Sequence, residues 1–184
     1  AEPYAREWLN AQAAGAIVEY DPSTGLYTLP PEQAVALTDA DSPAYLPGFF
    51  QIALGSVIDS PKIAEKARSG EGFGWHEHDP ELFTGTEQFF RPGYRAHLVA
   101  EWLPALEGVE DKLRAGARVA DVGCGHGAST VLLGGAYPAS TIVGFDNHGP
   151  SIDVARKRAA EAGVADRVSF DVASAGDFAR TGYD

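Results

Sequence analysis

The stretch VADVGCGHGAST, residues 119–130, constrains this chain more than any other. Val119 to Val122 form a short apolar run broken by one acid, Asp121. Gly123, Gly125 and Gly127 then alternate with other residues, and a helix-compatible pattern resumes at Ala128. A buried strand, a glycine turn and a helix start in direct succession present backbone N–H groups to a ligand. The alternation continues downstream. RVADV, ASTVLLGGAY, STIVGFD, SIDVARKRAAEAG and RVSFDVA read as strand, helix, strand, helix, strand. Pro138 and Gly163 mark helix ends, and Pro150 with Ser151 opens the second helix. Strands alternating with helices of this length predict right-handed crossovers and a doubly wound α/β fold with a parallel sheet.

Two ligand classes suit such a turn. Gly123, Gly125 and Ala128 satisfy the G-x-G-x-x-G/A pattern that brings backbone close to a dinucleotide pyrophosphate. Asp121 opposes that ligand, because a carboxylate two residues before the first glycine repels a diphosphate. It suits a positively charged ligand instead. The methionine part of S-adenosylmethionine carries an ammonium and a sulfonium and no phosphate.

VADVGCGHG resembles the first motif of class I S-adenosylmethionine-dependent methyltransferases: apolar strand, acid, then three alternating glycines. Asp146 ends STIVGFD, 19 residues after Gly127. The resemblance implies that it binds both ribose hydroxyls, which suits a two-oxygen acceptor. NAD-binding folds use the same acid, so an NAD(P)-dependent oxidoreductase stands as the alternative enzyme. After the third strand, the family's usual adenine-contacting Asp is replaced by Ser174, a neutral and shorter acceptor. Asn147 and His148 follow the ribose acid, where family members cover the adenine face, and His148 could stack there. The implied cofactor is S-adenosylmethionine, held by Asp121, Gly123, Gly125, Gly127, Asp146, Asn147 and Ser174. The family sheet has seven strands and only the first three are read here. We therefore expect the C-terminal half of the core to lie outside this chain, whose fragment would be inactive alone. The lack of any methionine likewise leads us to expect a further N-terminal piece.

The region before the motif divides at about residues 42 and 108. In residues 1–42, Tyr4, Trp8 and Ala11 fall at helical spacing, and IVEY and LYTL flank the turn DPSTG as a hairpin. Pro30 and Pro31 start another helix. A helix followed by a hairpin resembles part of a winged-helix domain. With the motif core it also resembles bacterial methyltransferases that use such a segment to dimerise and cap the acceptor pocket. That implies a homodimer through the N-terminal region. Residues 43–108 form a helical connector and lid: one or two helices over 43–69, a loop over 70–95, then a helix after Pro92 closed by Gly108. Residues 109–184 are the Rossmann-like part.

Charge and composition narrow the partners. The net charge is −12, with 6 Lys+Arg against 14 Asp+Glu in residues 1–100 and 8 against 12 in the remainder. Neither half offers the basic surface that phosphate backbones require, so we expect no nucleic acid partner. Residues 1–30 hold only Arg6 against Glu2, Glu7, Glu19 and Asp21, which disfavours a DNA-binding regulator that senses S-adenosylmethionine. No apolar run approaches the roughly 20 residues of a membrane helix. One cysteine, Cys124, suits the cytoplasm. The acceptor is expected to be a small molecule. For its side of the site the sequence offers GFGWHEH: Phe73 and Trp75 as lid aromatics or as anchors, and His76 and His78 as acceptor contacts. Two histidines one residue apart do not make a metal site, which needs three or four converging ligands, and the catalytic residue is left unassigned.

Overall fold

The computed structural model describes residues 2–178 and 181–184. Helix α1 (Glu2–Ala14) leads into the antiparallel hairpin β1 (Glu19–Asp21) and β2 (Leu26–Thr28), followed by α2 (Pro31–Leu37). The hairpin turn is fixed by Asp21, whose carboxylate accepts from the Ser23 N–H at 2.8 Å and from the hydroxyls of Ser23 and Thr24, each at 2.7 Å.

Helix α3 (Pro47–Ser69) is continuous, and it packs along α4 (Pro80–Gly93). Gly48, Gly55 and Gly85 permit this crossing: a Cβ added to them would fall within 2.5–2.8 Å of the opposing backbone. Helix α4 corrects the expectation of a loop over this segment. Asp79 caps it by accepting from the Glu81 N–H at 3.0 Å, with Pro80 in the first turn. Its Gly85 is the contact point of a helix pair, a role that composition alone disguises. Pro92 does not start the next helix either. It lies inside α4, which runs on into a π-wound stretch, Tyr94–Trp102, closed by the Leu103 N–H to the Leu98 carbonyl at 3.0 Å.

After α5 (Val109–Ala115) the sheet begins. Strands β3 (Arg118–Val122), β4 (Thr141–Asp146) and β5 (Val168–Val172) are parallel, in the order β3-β4-β5. The register sets Asp121 opposite Gly144 and Val122 opposite Phe145. Helices α6 (Ala128–Ala136) and α7 (Gly149–Glu161) connect the strands and pack on one another. The core lies between these helices and the sheet, centred on Ile142, Ile152, Ala155, Ala159, Val168 and Phe170. Burying an isoleucine such as Ile142 or Ile152 stabilises by about 1.5–3 kcal/mol, so this half is well anchored. On its far side β3 meets Asp184, whose N–H donates to the Arg118 carbonyl at 3.0 Å. No helix among the described residues is long and apolar enough to cross a membrane.

Candidate donor and acceptor site

The C-terminal ends of β3 and β4 and the N-terminus of α6 converge on one cavity of about 500 Å³. Ligand sites of open α/β sheets lie at this end of the strands. Gly123, Gly125 and Gly127 all have positive φ, at 80°, 52° and 74°. A Cβ on Gly123 or Gly125 would meet nothing within 4 Å, whereas one on Gly127 would lie 2.8 Å from Phe170 and 2.9 Å from Ala155. The first two glycines therefore keep the turn open on the ligand side, and the third lets α6 sit on the sheet.

Both acids of the motif face this turn. One oxygen of Asp121 accepts from Ser129 at 2.8 Å and Thr130 at 2.7 Å, the second and third residues of α6. These bonds fix the carboxylate at the cavity wall. Asp146 is 8% exposed. Its Oδ2 accepts from the Gly125 N–H and its Oδ1 from the His148 N–H, both at 2.9 Å. A carboxylate oxygen has lone pairs beyond one such bond, so Asp146 both clamps the turn and offers acceptors to a diol. Asn147 is exposed beside it and lines the same cavity. A smaller adjoining cavity of about 250 Å³ shares Val122, Gly123, Asp146 and Asn147 and reaches Ser174. The Ser174 hydroxyl donates to Asp177 at 2.6 Å and accepts from the Gly176 N–H at 3.2 Å.

The remaining wall is aromatic and comes from the helical region. Trp75, Phe83, Phe90 and Tyr94 line the cavity, with Thr86 and Glu87 between them. Of the GFGWHEH candidates only Trp75 is among the lining residues. Phe73 packs on His78 with ring centroids 4.6 Å apart, and His76 is exposed. His78 turns away to Asp59 of α3, with Nδ1 2.8 Å from Oδ2. His148, which its position in the sequence suggested could stack on an adenine, already has two partners. It stacks on Phe83 at 4.1 Å and 8° between planes, and its Nδ1 lies 2.8 Å from the Ser151 hydroxyl. One face of its ring is thus covered by α4.

Two titratable groups in the turn are shaped by burial. The Cys124 thiol is pushed up to about 12 by desolvation and by the charges of Asp121 and Asp146. It is therefore a thiol at neutral pH, and no nucleophile. His126 is held below the ordinary histidine value, first by burial and then by the Arg158 charge, which favours the neutral ring. Tyr94 is raised by burial and by the nearby Asp121 charge. Among the described residues, no group of three or more His, Cys, Asp or Glu is placed to hold a metal ion.

Sequence reasoning missed Phe83, Thr86, Glu87 and Phe90. No local motif marks them. They reach the turn only because α4 folds over it, and the signal available was the helical spacing of Phe83, Glu87 and Phe90 behind the Asp79–Pro80 start.

Comparison with known proteins agrees with this geometry. Residues 1–39 match the family described as Rv2258c-like winged HTH domain, and residues 113–184 match the family described as methyltransferase domain. An O-methyltransferase family protein of Burkholderia thailandensis superposes with a TM-score of 0.66 at 19% identity, over 95% of this chain and 51% of that one. Mitomycin 7-O-methyltransferase MmcR gives 0.65 at 17%, over 100% and 55%. The O-methyltransferase NcsB1 from neocarzinostatin biosynthesis, solved with S-adenosylmethionine and 2-hydroxy-5-methyl naphthoic acid, gives 0.60 at 21%, over 97% and 56%. A protein of Synechococcus sp. is 38% identical over 63 residues, which is 34% of this chain and 15% of that protein. The chain spans about half the length of these solved structures. The two matched segments thus lie at the two ends of the chain, and over nearly its whole length the chain has the fold of these solved O-methyltransferases.

Proposed function

We propose that the protein containing this chain transfers a methyl group from S-adenosylmethionine to a hydroxyl of a small planar acceptor. One observation carries the reading. A single cavity sets three carboxylates, Asp121, Asp146 and Glu87, against four aromatic rings, with no lysine or arginine among the described residues that line it. The donor bears two positive charges and one negative, so this wall attracts it. The same wall repels the diphosphate of a dinucleotide, which disfavours the oxidoreductase.

Bound there, S-adenosylmethionine would supply an electrophilic methyl group with a good leaving group. The residues of the chain then have three tasks. Asp121, held by Ser129 and Thr130, orients the donor's cationic end, and Asp146 accepts from the ribose hydroxyls. Asn147 and Ser174 border the adenine end through the adjoining cavity. Trp75, Phe83, Phe90 and Tyr94 hold an aromatic acceptor in line and exclude water, which is most of what a displacement at a sulfonium requires. The hydroxy-naphthoic acid bound by NcsB1 supports a bicyclic aromatic as the class of acceptor.

We assign residues 1–42, 43–108 and 109–184 to dimerisation, acceptor capping and donor binding. Tyr4 and Trp8, 83% and 62% exposed on a helix without buried residues, support docking on a second copy. The lone thiol supports a cytoplasmic site of action.

The reading is tested by methyl transfer. The full-length protein, given donor labelled in its methyl group and a panel of mono- and dihydroxynaphthoic acids, should label at least one acceptor at a hydroxyl. Label on no acceptor hydroxyl, with S-adenosylmethionine bound, would contradict the acceptor class.

A further inference from the structure

Glu87 is a carboxylate that the donor motif does not include. Its side chain is 7% exposed. Its Oε1 lies 2.7 Å from Arg158 Nη1 on α7 and 3.5 Å from Arg91 Nε on its own helix. Arg158 has a separate duty: the same Nη1 donates to the His126 carbonyl at 3.3 Å. The Gly127 N–H, at the other end of that peptide, donates to the Cys124 carbonyl at 2.8 Å. The guanidinium thus helps to pin the glycine turn, and it stands directly behind the donor cavity. Arg91, Arg95 and Arg158 together line a second cavity of about 380 Å³ on that far side, with Gly127 and Ala128 shared with the turn. Arg95 is paired with Asp41. Arg91 and Arg158 share Glu87, and of these three residues only Glu87 also lines the donor cavity.

A chain that uses a guanidinium to hold a turn against a cationic ligand faces a conflict of charge. We propose that Glu87 resolves it: by offsetting the charge of Arg158, and in part that of Arg91, it biases the cavity toward the charged donor over the uncharged thioether product. The proposal rests on the donor reading above. Methyl transfer converts the sulfonium of S-adenosylmethionine into the neutral sulfur of S-adenosylhomocysteine, while the ammonium, carboxylate, ribose and adenine stay the same. Uncompensated positive charge behind the turn therefore penalises the donor more than the product. A contact that served only to pack α4 would affect both equally.

The test is calorimetric titration of the full-length protein with S-adenosylmethionine and S-adenosylhomocysteine. In Glu87→Gln, donor affinity should fall about fivefold more than product affinity, the size expected for one charge at several ångströms in a partly screened site. The double variant E87Q/R158Q should bring the ratio back toward that of the parent. Arg158→Gln alone, which leaves Glu87 in place, should move the ratio the other way, in favour of the donor. Equal losses for both ligands, or no change in the ratio in either single variant, would overturn the role of Glu87. Failure of the parent protein to bind either ligand would instead overturn the donor reading itself.

Discussion

Gly123 and Gly127 have similar backbone angles, φ 80° and 74°, yet different neighbours. A side chain at either position costs about 1–3 kcal/mol for the left-handed backbone. At Gly127 the added Cβ also drives into Phe170 and Ala155, and overpacking adds about 1–3 kcal/mol. Gly127→Ala should therefore lower unfolding stability well beyond Gly123→Ala in parallel urea titrations, whereas Gly123→Ala should mainly weaken donor binding. Equal stability losses would contradict the division of labour within the turn. At this scale the sequence was most legible. Asp121, the glycines and Asp146 lie at fixed distances along one strand–turn–helix–strand unit, so local spacing is enough to pick them out. Glu87 and the aromatic wall were hidden because a tertiary contact, and no chain proximity, brings them there.

Helix α4 shows the limit at the scale of elements. Glycines and aromatics between residues 72 and 94 read as a loop, but Gly85 is the close-approach point of a helix pair. The sheet and its two helices were readable because each strand is bounded by a turn signal and each helix by Pro or Gly. Besides that packing, a buried acid ties α3 to the start of α4. Asp59, fully buried by solvent exposure, accepts from the Asp79 N–H at 3.0 Å, pairs with His78 at 2.8 Å and meets Lys62 at 3.3 Å. The Asp79 N–H, with His78 and Lys62, holds its carboxyl below the ordinary value against the opposing effect of burial. A lowered folded value means that the stabilisation is complete above the ordinary aspartate range and is lost as pH falls through the folded value. Asp59→Asn should be less stable than the parent at pH 7, and the gap should close as pH drops below about 4. A gap that stays constant between pH 7 and pH 3 in urea unfolding would show that the charge of Asp59 is not what ties the helices.

Across the whole molecule, the acidity is consistent with the site. Around the glycine turn, Asp121, Asp146 and Glu87 line the donor cavity, and Arg91, Arg95 and Arg158 line the cavity on its far side. Residues 1–39 carry one basic residue, Arg6, and the helical region supplies the aromatic wall over the sheet. The most direct measurement is titration of the full-length protein, and of its Asp146→Asn variant, with S-adenosylmethionine, S-adenosylhomocysteine and NAD. Both sulfur nucleotides should bind the parent and NAD should not. Loss of one charged acceptor to the ribose should weaken the first two by about 10- to 100-fold, the value of a charge-assisted hydrogen bond. Binding of NAD alone, or sulfur-nucleotide affinity untouched in Asp146→Asn, would contradict the account.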